Sequence, residues 1–337
     1  MKTKFNLYKA VVTSYLKRIL RIGKNPVFAS LFFTRNCNMN CAYCKTARIP
    51  AQKTDIPVED WYNIIDIIYK WGLRHLTIYG GEPTLRADLP DLLKYCVKKS
   101  ILTHIVTNGS LLDEDILSDL INGSYLLLGI SIDNLIPTQS SKKVYNENLI
   151  TILREFKQKF PDKVDYCINI ILTKENIHNF IPTITTIQKN LQTSFSVDPV
   201  HSAIHPNQQY LYRDYCPHLT LSVSELKWLA KAISQLKRHK YRIWGSQRYY
   251  NALIDWFSGK YTWKCDVGDL YFSINNDGTL MVCEETLTPY KVWDLEDASY
   301  KERKTKISKF KLPYCQCVKP CYFMPSDLVR HPIRQFL

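Results

Sequence analysis

Residues 37–44, Cys-Asn-Met-Asn-Cys-Ala-Tyr-Cys, follow a strand-like run over 27–34 that is rich in phenylalanine. Three cysteines on one short loop can hold three irons of a 4Fe–4S cube, which leaves the fourth iron open to another ligand. Because protein clusters usually have four cysteine ligands, this loop indicates chemistry at the open iron. Two alternatives remain: three buried thiols, or a structural zinc site whose fourth ligand would come from a distant segment.

A second strand, over 75–79, runs directly into Gly80, Gly81, Glu82 and Pro83. The chain has only 11 glycines, and two adjacent ones let the backbone pass close to a ligand. A glutamate at the carboxyl end of a parallel strand lies where α/β proteins bind ligands, and it could hold the ammonium group of an amino-acid-like cofactor. Taken alone, the four residues are also compatible with an ordinary turn.

Taken together, the three cysteines, the aromatic Tyr43 before the third, and residues 80–83 resemble the radical S-adenosylmethionine (SAM) enzymes. The resemblance covers about residues 27–200, and polar residues at the ends of later strands are further matches to it. It implies a 4Fe–4S cluster held by three ligands: Cys37, Cys41 and Cys44. It also implies that SAM is bound by these residues: Gly80, Gly81, Glu82, Pro83, Asn108, Ser131, Asp133 and Asn169.

Strand and helix patterns alternate through the first two thirds of the chain, which predicts an α/β fold with a parallel sheet. We expect strands over 27–34, 75–79, 102–106, 126–132, 163–172 and 195–200, and helices over 57–71, 90–99, 112–120, 142–160 and 177–190. The family resemblance implies a partial (β/α)6 TIM-like barrel with a small C-terminal cysteine-rich α+β cluster domain. The predicted divisions are an N-terminal helix (1–26), a core (27–220), a helical connector (221–262), a cluster domain (263–325) and a tail (326–337).

A second group of cysteines lies near the C-terminus: Cys265, Cys283, Cys315, Cys317 and Cys321. The first two bracket a hairpin whose Asp277-Gly278 turn is a strong signal. This arrangement resembles the auxiliary-cluster domains called SPASM or, when shortened, twitch. It implies one auxiliary 4Fe–4S cluster held by the first two cysteines and two of the last three, and a zinc ribbon is the alternative. The remaining cysteines Cys96, Cys167 and Cys216 are expected to be buried thiols.

The formal net charge of +14 is compatible with nucleic acid, an anionic membrane surface or an acidic substrate. Residues 5–22 predict a basic amphipathic helix, which would either pack on its own domain or rest on an anionic membrane. No apolar run approaches the length of a membrane span. Eleven cysteines without a convincing signal peptide favour a reducing compartment, so we expect a cytoplasmic protein, with peripheral membrane attachment as an alternative.

The resemblance implies reductive cleavage of SAM to a 5′-deoxyadenosyl radical, which removes a hydrogen atom from a peptide or small biosynthetic substrate. The auxiliary cluster would assist electron transfer, and a flavodoxin or ferredoxin would donate the electron. An RNA- or lipid-modifying radical enzyme is a second hypothesis. A GTP-cyclising enzyme is disfavoured because its arginine-containing, two-glycine C-terminal tail is missing. A non-catalytic iron–sulfur or zinc protein is the hypothesis from another class.

Overall fold

A computed structural model describes residues 4–48, 55–202, 211–260, 263–311 and 317–332. After an N-terminal helix, α1 (Lys4–Ile19), strands and helices alternate along the chain. In order they are β1 (Phe28–Thr34), α2 (Val58–Lys70), β2 (His75–Gly80), α3 (Leu89–Lys98), β3 (Leu102–Thr107), α4 (Glu114–Ile121), β4 (Leu126–Ser131), α5 (Glu147–Lys159), β5 (Val164–Leu172), α6 (Phe180–Leu191) and β6 (Ser194–Pro199). Neighbouring strands from β1 to β6 pair in parallel. The predicted α/β fold class is confirmed.

One predicted helix boundary is wrong. The sequence pattern suggested a helix from residue 142, but α5 begins at Glu147 because the side chain of Asn146 accepts a hydrogen bond from the Leu149 amide, 3.1 Å away. The preceding residues instead form a connection in which Val144 makes a β-bridge to Asn134. This correction matters because it places Lys143 in a loop at the carboxyl end of the sheet.

The C-terminal part of the chain extends the same sheet. It comprises α7 (Val223–Arg238), β7 (Arg242–Ile243), α8 (Gln247–Phe257), β8 (Tyr271–Ile274), β9 (Thr279–Cys283), β10 (Thr286–Lys291), α9 (Tyr300–Ser308) and α10 (Pro320–Arg330). The expected hairpin is present as β8 and β9, and β8 pairs in parallel with β1. The strand order is β10-β9-β8-β1-β2-β3-β4-β5-β6-β7. The predicted domain boundaries stay predictions, but hydrogen bonds join the hairpin to the barrel strands.

Four of these elements had no sequence prediction: β7, β10, α9 and α10. The basic residues 301–306 lie within α9. The local pattern is weak because α9 is almost uniformly polar and buries only Ile307. Helices of this kind are stabilised by caps and side-chain pairs, here the Ser299 cap and the Glu302–Lys306 pair, rather than by an apolar stripe.

Helix α1 covers the amino-terminal ends of the barrel strands. Its Leu7 is fully buried and packs in a cluster with Leu102, Tyr125 and Leu127, which lie at the starts of β3 and β4. The cysteine loop follows the carboxyl end of β1, so the helix and the loop lie at opposite ends of the strands. In the described part of the chain, no helix has the length and hydropathy needed to cross a bilayer.

Candidate active site

The first cysteine loop is held by backbone hydrogen bonds to a neighbouring segment, residues 211–216. The amide of Lys45 donates to the Tyr212 carbonyl over 2.9 Å, and the amide of Asp214 donates to the Tyr43 carbonyl over 3.2 Å. The Arg48 guanidinium donates to the carbonyls of Cys41, Ala42 and Cys44 at 2.7–3.3 Å. The three thiols are therefore carried on a loop whose backbone is fixed from two sides.

The glycine pair brings β2 against this loop. Gly81 donates its amide to the Thr34 carbonyl and Glu82 donates its amide to the Asn36 carbonyl, both over 2.8 Å. A Cβ on Gly80 would lie 2.1 Å from the Thr34 oxygen, and one on Gly81 would lie 1.9 Å from the Asn36 oxygen. No other residue type fits at either position, so the two glycines let the glutamate motif and the cysteine loop share one site.

Glu82 is buried, and its carboxylate is oriented by three neighbours. It accepts hydrogen bonds from the Thr84 and Thr107 hydroxyls, each over 2.6 Å, and from the Asn108 amide over 2.7 Å. The Asn108 side chain donates in turn to Asn38 of the cysteine loop over 2.8 Å. Pro83 begins a single 3₁₀ turn behind the carboxylate. Thr107 was not among the predicted site residues, although it directly precedes Asn108 in the strand-end motif.

These groups surround two adjoining cavities inside the barrel. The smaller, about 70 Å³, is lined by the three thiols and by four of the eight predicted SAM contacts: Gly80, Gly81, Asn108 and Ser131. The larger, about 270 Å³, extends through the barrel to the C-terminal segment, and Asn169 lies on its wall. Ser131 lines both cavities, as do Tyr79, Val106, Lys143 and Tyr212. Five predicted cofactor residues thus line this interior space, whereas Glu82, Pro83 and Asp133 are not among its lining residues.

Asp133 was predicted to contact SAM, and the structure gives its carboxylate other partners. It accepts hydrogen bonds from the Tyr43 hydroxyl over 2.6 Å, from the Ser141 hydroxyl over 2.7 Å and from the Ile171 amide over 2.9 Å. Asp133 is buried. Its cofactor contact stays a prediction, whereas its observed contacts tie the cysteine loop to β5.

Lys143 is a site residue that sequence analysis did not single out. Its ammonium lies 3.4 Å from the Tyr43 hydroxyl and lines both cavities. Burial opposes its charge, but attraction from Asp133 and the three loop thiolates outweighs that effect and raises the pKa of Lys143. A buried cation beside three thiols suits an anionic iron–sulfur cluster and a carboxylate ligand. In the sequence, Lys143 belongs to one of several dispersed pairs of basic residues, so no motif spacing distinguishes it.

Burial raises the pKa of the Cys37 and Cys41 thiols above the ordinary value. The charge of Lys143 counteracts this effect at Cys41. Metal binding requires the thiolate form, so a bound metal ion must lower the thiol pKa values further than the charge of Lys143 does. Within the described residues, no three histidine, cysteine or acidic side chains are close enough to hold one metal ion, and both ligand sets stay predictions.

The C-terminal cysteines divide into two positions. Cys265, Cys283 and Cys317 line one small enclosed space together. Cys321 instead lies on the wall of the larger barrel cavity, with its sulfur 3.8 Å from a Glu284 carboxylate oxygen. Cys315 lies outside the described residues. The structure therefore brings three predicted auxiliary ligands to the walls of one small space, and Cys315 or Cys321 stays the predicted fourth ligand.

A buried ionic network connects the two cysteine groups. Glu285, two residues after Cys283, accepts from the Arg213 guanidinium over 2.9 Å and from the Lys319 ammonium over 3.2 Å. Arg213 makes a β-bridge to Cys44. Although burial opposes the charge of Glu285, attraction from Lys319 and Arg213 outweighs it and lowers its pKa to about 2. The network fixes the C-terminal segment against the first cysteine loop.

The three cysteines expected to be structural are all buried. Cys96 packs in the main core, Cys167 lies on β5, and Cys216 lies in an apolar cluster behind the cysteine loop with Cys41 and Tyr43. The Cys216 sulfur faces the Asp214 carbonyl at 3.6 Å. Cys216 is therefore a buried thiol packed behind the cysteine loop.

Residues 31–187 match the family described as the radical SAM superfamily. The Fe-coproporphyrin III synthase of Methanosarcina barkeri is 27% identical over 152 residues, which cover 45% of this chain and 38% of the relative. The PqqA peptide cyclase of Granulibacter bethesdensis is 34% identical over 82 residues, or 24% of this chain and 22% of the relative. Both alignments thus span less than half of the curated relative.

Among solved structures, Streptococcus suis SuiB shares the fold at low sequence identity. SuiB bound to S-adenosylmethionine has a TM-score of 0.64 and 18% identity, covering 82% of this chain and 66% of that one. SuiB bound to the precursor peptide SuiA has a TM-score of 0.62 and 18% identity, covering 88% of this chain and 70% of that one. At this identity the likeness establishes the fold.

Proposed function

This chain carries a radical SAM domain over residues 31–187, and we propose that it is an enzyme that removes a hydrogen atom from a peptide or small biosynthetic substrate. The observation that carries the proposal is the pair of backbone hydrogen bonds from Gly81 and Glu82 to the carbonyls of Thr34 and Asn36. They bring the backbone of Glu82 against the cysteine loop, next to the cavity that the three thiols line. This geometry supports a cofactor that offers an ammonium group on one side and a metal ligand on the other.

When bound, a 4Fe–4S cluster and SAM supply a one-electron cleavage that yields methionine and a 5′-deoxyadenosyl radical. Cys37, Cys41 and Cys44 would hold three irons of the cluster. Glu82 would accept hydrogen bonds from the ammonium group of SAM, and Lys143 would neutralise its carboxylate. Ser131 and Asn169 would bind the ribose. Because Gly80 and Gly81 have no Cβ, the end of β2 lies against the Thr34 and Asn36 carbonyls, and this close approach supports the assignment.

The larger cavity is the proposed substrate site. Its walls carry neutral hydrogen-bonding groups on successive strands: Ser30, Thr77, His104, Asn169 and Ser196. Burial lowers the pKa of His104 to about 3, so its ring is uncharged at neutral pH. Charged residues line the same cavity: Lys143, Asp198, Arg213, and Glu284 paired with Lys319 at 2.5 Å. The neutral groups would bind an uncharged polar group of the substrate, such as an amide or hydroxyl.

A peptide is the favoured substrate class because PqqA peptide cyclase and SuiB are both similar to this chain. Cys265, Cys283 and Cys317 support an auxiliary cluster in the small space that they line, completed by Cys315 or Cys321. Such a cluster would accept the electron left after hydrogen removal. A flavodoxin or ferredoxin is the proposed donor to the first cluster.

The enzyme proposal is tested by anaerobic reconstitution with iron and sulfide, followed by dithionite and SAM. We expect about eight irons per chain if both clusters form, and 5′-deoxyadenosine as a product. Cys41→Ala should abolish 5′-deoxyadenosine formation, and Cys96→Ala, at a buried position far from the loop, should retain it. Reconstituted protein that binds iron but never cleaves SAM would favour a non-catalytic metal protein.

The substrate class is tested by adding short peptides encoded beside the gene and measuring their mass by mass spectrometry. A peptide substrate should accelerate 5′-deoxyadenosine formation and change mass in a SAM-dependent manner. Active enzyme that leaves every such peptide unchanged, while a small metabolite stimulates turnover, would reject the peptide assignment and keep the radical chemistry.

A further inference from the structure

Helix α1 has two apolar faces, and the protein covers only one of them. Leu7 and Ser14 are buried against the barrel, with the half-buried Val11 packed beside them. On the other side, the side chains of Phe5, Val12 and Leu16 are exposed by 72%, 54% and 49%. An ordinary surface helix has one apolar stripe, which it buries. The second stripe on α1 is left without a partner in the described part of the chain.

Three of the exposed apolar residues lie in one line on the helix, and the exposed Lys9 lies between the first two. Phe5, Val12 and Leu16 are separated by seven and four residues, spacings that place side chains on the same helical face. Leu20 and Ile22 continue the line beyond the helix end, with exposures of 63% and 75%. We call this set, Phe5, Val12, Leu16, Leu20 and Ile22, the apolar ridge. Isolated exposed apolar residues are common, but a ridge of this length indicates an interaction site.

Basic residues flank the apolar ridge, and acidic residues are missing from the segment. Residues 1–24 contain seven lysines and arginines, and the first acidic residue of the chain is Asp55. Two of the seven are used internally, because Lys4 pairs with Asp165 and Arg18 pairs with Asp269. Others are exposed beside the ridge: Lys9, Lys17, Arg21 and Lys24. The surface thus offers positive charge around an apolar centre.

We propose that α1 docks the enzyme on an anionic lipid bilayer. The apolar ridge would enter the boundary between headgroups and acyl chains, and the flanking cations would contact acidic headgroups. Charge complementarity favours this occupant over a neutral protein surface. Nucleic acid would match the cations but would leave Phe5, Val12 and Leu16 without an apolar partner.

The position of α1 in the fold is compatible with such docking. The helix covers the amino-terminal ends of β3 and β4, whereas the cysteine loop follows the carboxyl end of β1. A bilayer beneath α1 would therefore lie at the end of the strands opposite the proposed active site. Docking would concentrate the enzyme at a surface without blocking the cofactor cavity, and this inference does not depend on the proposed reaction.

The test compares vesicles of phosphatidylcholine alone with vesicles of phosphatidylcholine and phosphatidylglycerol in roughly a two-to-one ratio. The reconstituted full chain should co-sediment with the anionic vesicles, and added salt should weaken the binding. The double variant Val12→Ser/Leu16→Ser should bind them about tenfold more weakly. The matched control Ile136→Ser/Trp244→Ser removes two equally exposed apolar side chains elsewhere and should bind like the wild type.

Two results would overturn the proposal. One is a wild-type chain that does not co-sediment with the anionic vesicles, or a Val12→Ser/Leu16→Ser variant that binds them as strongly as the wild type. The other is that the wild type and the Val12→Ser/Leu16→Ser variant both retain single-stranded RNA in a salt-sensitive manner and do not bind vesicles. This result would assign the basic residues to nucleic-acid binding. Iron content and 5′-deoxyadenosine formation should be equal in all variants, so a folding defect would be recognised.

Discussion

The Tyr43 hydroxyl donates a hydrogen bond to the Asp133 carboxylate over 2.6 Å, and this contact joins the cysteine loop to the end of β4. Both side chains are buried, and the other Asp133 oxygen accepts from the Ile171 amide of β5. Asp133 therefore acts as a positioning residue, because it connects the loop that carries the thiols to two strands of the barrel.

Replacing Asp133 with Asn should loosen the cysteine loop without removing a metal ligand. The amide keeps one acceptor oxygen, so a buried donor loses its partner, at a cost of about 1–3 kcal/mol. We expect 5′-deoxyadenosine formation to fall on the order of tenfold, with the iron content retained. Asp297→Asn, at an exposed position, is the control. A wild-type rate in Asp133→Asn would show that the bond does not position the loop.

Gly81→Ala should prevent assembly of the site. The added methyl group would lie 1.9 Å from the Asn36 carbonyl oxygen, a separation that only backbone movement can relieve. The resulting shift would separate Glu82 from the cysteine loop, so SAM binding measured by calorimetry should be lost. Gly259→Ala meets nothing within 4 Å and should cost only about 1 kcal/mol for its left-handed backbone. SAM binding by Gly81→Ala at wild-type strength would refute the close-approach argument.

Glu82→Gln tests the proposed contact with the ammonium group of SAM. The substitution keeps the side-chain size but removes the negative charge, and charge-assisted hydrogen bonds are about twice as strong as neutral ones. The dissociation constant of SAM should rise by roughly tenfold or more. Thr107→Val, which removes one donor to the carboxylate, should have a smaller effect in the same direction. Unchanged SAM affinity in Glu82→Gln would assign the ammonium contact to another residue.

The fourth ligand of the proposed auxiliary cluster can be assigned by substitution. Cys317 lines the same small space as Cys265 and Cys283, so Cys317→Ala should lower the iron content by about four per chain. Cys315→Ala and Cys321→Ala should differ, since Cys321 lies on the barrel cavity. If Cys321→Ala keeps the iron and Cys315→Ala loses it, Cys315 is the ligand. Full iron content in all three variants would argue against an auxiliary cluster.

Glu285 should make stability dependent on pH in the acid range. Its pKa is lowered to about 2 in the folded chain, below the ordinary value, so its stabilisation is complete above about pH 4.5 and is lost as the pH falls towards 2. Glu285→Gln should remove this dependence and destabilise the chain by about 3 kcal/mol, because Arg213 and Lys319 lose a buried partner.

Urea unfolding of the wild type and Glu285→Gln at several pH values would measure both effects, and their difference isolates Glu285 because the two chains differ at this side chain alone. Glu302→Gln is the control, since its partner Lys306 lies on an exposed helix face. Parallel pH profiles for the wild type and Glu285→Gln would contradict the assignment.

Much of the site was readable from local patterns. The cysteine spacing, the glycine pair before Glu82 and the alternation of strands and helices are short-range features, because they reflect the chemistry and backbone freedom of neighbouring residues. They predicted the fold class, which is confirmed, and seven residues that line the smaller cavity: Cys37, Cys41, Cys44, Gly80, Gly81, Asn108 and Ser131. The start of α5 was misplaced because the cap at Asn146 is a local side-chain contact that periodicity alone does not register.

Such local patterns do not predict contacts between segments that are distant in the sequence. Nothing in residues 271–274 indicates that they pair with β1 from the other end of the chain, and nothing near Lys143 marks it as a buried cation beside the three thiols. The same applies to Arg213, Glu285 and Lys319, which meet across large sequence separations. Through local chemistry, the sequence by itself predicted the ligand types and determined the α/β fold class. Only the tertiary structure decided which charges are buried together, because burial depends on packing between distant segments.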